Sequence, residues 1–353
     1  MTSLNQKLRL SCGATILCFA PLATAAQTAS SGCGSDPLMS GVYQLESGGV
    51  TRVYQLHIPE GYSRDTPMPM VTLFHGWGGD ETAFLGESSV VALADERGYI
   101  LVAPRGLGAE GGDDSYASFT FNGSSTGVDG DGNAICDFDI TGDYSYASCK
   151  VEGAEVAQNT CSWTQCQADD FDGVVALIEK VSAEVCIDSD RVYAMGGSNG
   201  GMFTWGLGQD ARTAPLLRAI APLMGLPHRG YLDGPARDGL PVMVITGTLD
   251  PTVPPGEWED PSYSTTSDGD VYYYTGATAI TRVWAEGMAC NTEQPAQSVA
   301  SGSEEIDCRS YCDAGGPSMP PVMDCRIEMD HSDYRVDITW PLMLDFFDAH
   351  SSR

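Results

Sequence analysis

Residues 191–207 read Arg-Val-Tyr-Ala-Met-Gly-Gly-Ser-Asn-Gly-Gly-Met-Phe-Thr-Trp-Gly-Leu. The stretch opens as a buried strand (Arg191–Met195), crosses Gly196-Gly197-Ser198-Asn199-Gly200-Gly201 and continues as a helix from Asn199 to Leu207. A serine between small residues, after a strand and before a helix, is the pattern of a strained strand-to-helix turn that lifts its hydroxyl above a sheet. The turn is tight enough that its flanks take only small residues. It also sets Ser198 at a helix N-terminus, where free N–H groups and the dipole favour an oxyanion. The bland alternative is a glycine-rich turn in which Ser198 caps the helix.

Working outward, strands and helices alternate. Strands are expected at Arg52–Ile58, Met68–Phe74, Tyr99–Ala103, Leu217–Leu223, Leu240–Thr246 and Val322–Glu328. Helices are expected at Glu81–Arg97, Ala168–Val185, Thr278–Met288 and Ile338–Ala349. Near-continuous apolar strands alternating with helices imply a mostly parallel sheet with helices on both faces. Two stretches break the rhythm, residues 105–160, rich in Gly, Ser and Asp, and residues 247–274, rich in Pro and Asp. Both follow strand ends, where open α/β sheets gather ligands.

A nucleophilic serine needs a base and an orienting acid, in the order Ser, acid, His for this kind of turn. Three histidines follow Ser198. His331 lies just past the Val322–Glu328 strand and is the expected base. His228 sits in a loop and His350 beyond the last helix. Asp250, after the Leu240–Thr246 strand, is the expected acid, although Asp250-Pro251 also suits an Asx-turn. Asp270 and Asp330 are the runners-up. The oxyanion needs two backbone donors, Asn199 N–H and Trp77 N–H, the latter from His75-Gly76-Trp77-Gly78-Gly79. His75 reads as a structural histidine, and the Trp77 ring as either a wall of the site or core packing.

These residues carry a resemblance. Gly32-Cys33-Gly34, Arg52-Val-Tyr, His75-Gly76, Gly196 to Met202 and Asp250-Pro-Thr-Val-Pro254 resemble the secreted poly(3-hydroxybutyrate) depolymerase and feruloyl esterase group of α/β-hydrolases. The likeness spans roughly residues 32–349. It implies an α/β-hydrolase fold, a Ser198–Asp250–His331 triad, a neutral ester substrate and disulfides among Cys161, Cys166, Cys186 and the late cysteines. Within the group the expectation leans to a polyester depolymerase, with feruloyl or acetylxylan esterase as the alternative. A secreted peptidase, or a non-catalytic binding module on the same fold, are the readings from other classes. Two departures stand out. The histidine of that group is often followed closely by Trp-Pro, whereas here His331-Ser-Asp-Tyr334 follows and Trp340-Pro341 comes nine residues later. No polymer-binding module follows His350, so tight adsorption to solid polyester is not expected.

The chain has 353 residues, 18 Lys+Arg against 48 Asp+Glu and a formal charge of -30. That balance argues against nucleic acid and anionic membrane surfaces, both of which need clustered positive charge. With 42% hydrophobic residues it is not a disordered acidic chain. A monomer is expected.

Lys7 and Arg9, an apolar run from Leu10 to Leu22 and Ala23-Thr24-Ala25-Ala26 read as a secretory signal peptide over residues 1–26. One catalytic domain then covers 27–353. A lipoprotein anchored at Cys33 is the alternative. Ten cysteines remain after such cleavage, an even number that favours disulfides in an exported chain. Asp129, Asp131, Asn133, Asp137 and Asp139 raise a calcium site, with a solvated acidic loop as the plainer reading. No other cofactor is expected.

Overall fold

In a computed structural model, residues 27–107, 117–121, 127–128, 134–135, 170–232, 234–258, 263–265, 272–313 and 319–351 are described. The chain builds one ten-stranded sheet: β1 (Gly41–Ser47), β2 (Val50–His57), β3 (Met68–Phe74), β4 (Ile100–Pro104), β5 (Ile187–Gly197), β6 (Ala219–Leu223), β7 (Val242–Gly247), β8 (Gln297–Val299), β9 (Ile306–Ser310) and β10 (Val322–Ile327). Their spatial order is β1-β2-β4-β3-β5-β6-β7-β10-β9-β8. The six central strands, β4 to β10 in that order, run parallel, and antiparallel hairpin strands close both flanks.

Among the described residues, five α-helices cover the sheet: α1 (Ser88–Arg97), α2 (Phe171–Glu184), α3 (Asn199–Gln209), α4 (Ala277–Gly287) and α5 (Val336–Ala349). Side chains along a strand alternate between faces, which gives two cores. Met70 and Phe74 of β3 join Phe203, Trp205 and Trp284 beneath α2, α3 and α4. Val71 and Leu73 join Val90, Trp340 and Phe346 beneath α1 and α5. The α/β-hydrolase fold expected from residues 191–207 is the fold observed.

The differences from the sequence reading have local causes. The helix expected over Glu81–Arg97 begins only at Ser88. Asp80 accepts from the Thr82 N–H at 2.8 Å and from the Thr82 hydroxyl, and Glu81 is buried against Arg105, with Arg105 Nη2 2.7 Å from Glu81 Oε1. These side-chain bonds hold a turn in place of the first helical turns. β1, β8 and β9 escaped the sequence reading because they are short flank strands with one face toward solvent. A short ribbon pairs Tyr263–Thr265 with Tyr273–Thr275.

Three disulfides are described: Cys33–Cys186, Cys290–Cys312 and Cys308–Cys325. Cys186 and the late cysteines form disulfides, as the resemblance implied, and the partner of Cys186 is Cys33. The first bond corrects the lipoprotein alternative. A Cys33 sulfur engaged in a disulfide has no valence left for a lipid thioether. Cys161, Cys166, the proposed signal segment, Asp129, Asp131, Asn133, Asp137, Asp139 and Asp270 lie outside the described residues. Among the described residues, no cluster of ligating side chains could hold a metal ion and no helix is long and apolar enough to cross a membrane.

Candidate active site

Ser198 adopts φ 52° and ψ −118°, a region that residues with a β-carbon rarely enter. Its surroundings hold it there: Ser198 N–H donates to the Leu223 carbonyl at 2.9 Å, and its own carbonyl accepts from Met202 N–H at 2.9 Å. The glycines are required by close approach. A β-carbon on Gly200 would lie 2.1 Å from the Phe74 carbonyl oxygen, and one on Gly196 would lie 2.3 Å from the Gly200 carbonyl oxygen.

The three sequence-predicted side chains meet from three strand ends. Ser198 follows β5, Asp250 follows β7 and His331 follows β10. His331 Nε2 is 2.9 Å from Ser198 Oγ, and His331 Nδ1 is 2.8 Å from Asp250 Oδ2. Asp250 is buried, and its other oxygen accepts the Thr252 and Val253 N–H groups, both at 2.9 Å. The Asx-turn and the orienting role are therefore not rivals: one carboxylate oxygen makes the turn and the other faces the imidazole. An ionised carboxylate at Nδ1 selects the tautomer in which Nε2 accepts the serine proton.

The runners-up are placed elsewhere. Asp330 is exposed and caps its own loop through Ser332, whose N–H and hydroxyl lie 2.8 and 2.6 Å away. Those bonds hold its carboxyl below the usual range. His228 is buried against Tyr272 and Tyr274. His350 hydrogen-bonds the Phe346 carbonyl at 2.8 Å, and burial lowers its pKa.

His75 is structural, as its sequence context indicated. Its Nδ1–H donates to the Gly76 carbonyl at 2.7 Å and its Nε2 accepts the Gly106 N–H at 2.8 Å. Burial pushes its pKa below the ordinary histidine value. The loop after β3 passes close to the serine: a β-carbon on Gly76 would lie 3.3 Å from Ser198 Cβ. Gly78 N–H then donates to the Ala117 carbonyl at 2.8 Å. Trp77 is 41% exposed, which sets aside core packing for its ring. Asn199 begins α3, so its N–H belongs to the first turn, whose donors have no carbonyl within the helix.

Several supporting residues were not visible in the sequence. Residues 117–121, inside the long stretch that broke the strand–helix rhythm, are wholly buried. Asn199 clamps Phe119 at both backbone groups: Oδ1 accepts the Phe119 N–H at 2.9 Å, and Nδ2 donates to the Phe119 carbonyl at 3.3 Å. Asp170 accepts the Thr120 N–H at 2.8 Å and pairs with Arg52. This strap ties the loop after β3 to the serine turn.

Tyr334 stacks on Phe84, and its hydroxyl would lie 3.1 Å from a Gly76 β-carbon and 2.9 Å from one on Gly197. Burial first, and the Asp250 charge second, push its pKa up to about 12, so it stays protonated at ordinary pH. The only sequence signal was its place three residues after His331. On the far side, Arg326 donates to the Gly256 carbonyl at 2.6 Å, pairs with buried Asp324 at 3.0 Å and lies 3.5 Å from the Trp258 ring centre. That cluster anchors the end of the loop begun by Asp250.

A serine strained at a strand-to-helix turn, bonded to a histidine that a buried carboxylate orients, can pass a proton along one line and expose a nucleophilic oxygen. The sheet and this turn together make the chain an α/β-hydrolase in fold. No family model matches the sequence. Several proteins similar to this chain are named as esterases. It is 26% identical over 245 residues to a probable feruloyl esterase C of Aspergillus terreus, covering 68% of this chain and 69% of that one. The corresponding figures for the Aspergillus niger protein of the same name are 23% over 246 residues, 68% and 69%. Among solved structures, an acetyl xylan esterase from Aspergillus awamori superposes with a TM-score of 0.53 at 12% identity, covering 88% of this chain and 99% of that one.

Proposed function

We propose that the protein is a secreted serine carboxylic-ester hydrolase of the feruloyl or acetylxylan esterase type. The observation that carries the reading is the continuous line Ser198 Oγ–His331 Nε2, His331 Nδ1–Asp250 Oδ2 at 2.9 and 2.8 Å. Ser198 Oγ attacks the ester carbonyl while His331 takes its proton. The Trp77 and Asn199 N–H groups stabilise the charge that develops on the carbonyl oxygen. The bond to the alcohol oxygen breaks as His331 returns the proton to it, leaving an acyl-serine. Water repeats the sequence with His331 as base, releasing the acid and the free serine.

The feruloyl esterase relatives support this substrate class over the polyester expected first from the sequence, and they favour ester over amide chemistry. Disulfides, and the order of charged, apolar and small residues over 1–26, support export. The test is product analysis on methyl ferulate, acetylated xylan and polyhydroxybutyrate film side by side, with fluorophosphonate labelling of Ser198. Labelling with ferulate or acetate release is expected. Depolymerisation of the film alone would return the reading to polyester, and absence of labelling would remove the serine mechanism.

A further inference from the structure

The described tryptophans divide sharply. Trp205, Trp284 and Trp340 are fully buried, and Trp258 lies under Arg326 and Arg309. Trp77 is 41% exposed, on a chain whose charge of -30 keeps its surface strongly hydrated. Only three other large hydrophobic residues among those described are exposed: Met39, Val42 and Leu249. Met39 and Val42 belong to the flank around β1. Trp77 and Leu249 do not.

Trp77 lies three residues past β3 and Leu249 two residues past β7, with β5, which carries Ser198, between those strands. Three interstrand gaps separate β3 from β7, about 14 Å at roughly 4.8 Å per gap. The two exposed apolar side chains therefore flank the nucleophile across the carboxyl edge of the sheet. Single exposed hydrophobics are ordinary, but a pair bracketing a nucleophile is placed where a ligand would cover both.

We infer that these are the specificity-determining side chains of the site: Trp77 receives the acyl half and Leu249 the alcohol half of an ester that is apolar on both sides of the scissile bond. The inference rests on the ester-hydrolase reading above, and the chemistry of that reading assigns the sides. The carbonyl oxygen must reach the Trp77 and Asn199 N–H groups, which brings the acyl carbon to the Trp77 side. The departing alcohol oxygen must receive the proton from His331, so the alcohol leaves on the His331 side. Leu249 belongs to that side twice over: it precedes Asp250, which holds His331, and its N–H donates to the Met329 carbonyl, two residues before His331, at 3.2 Å. An aromatic acyl group suits the flat indole face. An alkyl or aryl alcohol, or the apolar face of a sugar ring, suits Leu249.

The test uses three esters. Methyl ferulate against methyl acetate varies the acyl half, and benzyl acetate against methyl acetate varies the alcohol half. Each ratio of kcat/KM is taken on one preparation, so a change in folded fraction or a disturbed oxyanion donor lowers both members and cancels. Trp77→Ala is expected to lower the acyl ratio at least tenfold and to move the alcohol ratio less than threefold. Leu249→Ser is expected to lower the alcohol ratio about fivefold and to leave the acyl ratio within threefold. Ratios that stay within threefold throughout, or that fall together in both variants, overturn the assignment while leaving the esterase reading intact. A wild-type protein that hydrolyses none of the three overturns both.

Discussion

The serine turn, buried except at Ser198, and the wholly buried strap of residues 117–121 meet at Asn199. One announced itself in the sequence and the other did not. At the turn, backbone passes so close to backbone that only glycine fits at positions 196 and 200. In the strap, Ala-Ser-Phe-Thr-Phe is held by bonds from its own main chain to Asn199 and Asp170. Almost any residue could offer the same N–H and carbonyl groups. Steric exclusion writes itself into residue type, and main-chain hydrogen bonding does not.

The comparison breaks most directly at the serine itself. Ser198→Ala should lower kcat on a soluble p-nitrophenyl ester by about 10⁴-fold or more, with the fold unchanged by circular dichroism. Retention of activity would mean that the turn is only a turn. Next comes Gly200→Ala, whose new methyl would meet the Phe74 carbonyl oxygen at 2.1 Å. We expect a loss of about 3 kcal/mol or more in chemical denaturation, because backbone and not a flexible side chain must move. A milder loss would show that the sheet edge yields more easily than its packing indicates.

The strap is probed by Asn199→Ala, which removes both bonds to Phe119 while sparing the Asn199 N–H. Stability should fall by about 2 kcal/mol, since the Phe119 N–H and carbonyl are left buried without partners. Activity should fall as well, because the strap carries Ala117, which holds Gly78 of the proposed oxyanion loop. An effect on stability with no effect on kcat would separate strap from catalysis.

Smaller effects concern charge. Burial depresses the pKa of His75, so the folded chain binds fewer protons than the unfolded chain just below the ordinary histidine value of about 6.5. Unfolding then takes up a proton, and stability is lost as pH falls below about 6.5. His75→Gln should flatten that slope between pH 7 and 5 in denaturation midpoints; an unchanged slope would assign it to other groups. Last, 48 acidic against 18 basic residues repel one another at low salt. The melting temperature should rise by a few degrees from dilute buffer to about 0.5–1 M NaCl, and a drop would refute the self-repulsion argument.

The same distinction explains what could be read beforehand. The central parallel strands were visible because burial on both faces leaves near-continuous apolar runs such as Met68–Phe74. The proposed triad residues were legible because each follows a strand, Ser198 and Asp250 an apolar run and His331 the alternating Val322–Glu328 segment. The flank strands β1, β8 and β9 turn one face to solvent, carry no near-continuous apolar run and were missed. The helix start was misplaced at Glu81 because the pattern of apolar residues does not reveal that Asp80 and Glu81 spend their oxygens on Thr82 and Arg105. Tyr334 and the Arg326–Trp258 cluster depend on contacts between distant parts of the chain, which no local pattern encodes.

The disulfides follow a division of labour across the sheet. Cys33–Cys186 fastens the N-terminal segment to the base of β5, while Cys290–Cys312 and Cys308–Cys325 staple the far flank around β9 and β10. Among the described residues the interior strands β3, β6 and β7 carry none. A reducing host cytosol would therefore weaken the margins before the middle. The staple nearest the chemistry, Cys308–Cys325, holds β10, the strand that delivers His331, so protein produced without oxidative folding should lose its base before its nucleophile. Recombinant yield measured as soluble mass would then overstate yield measured as turnover.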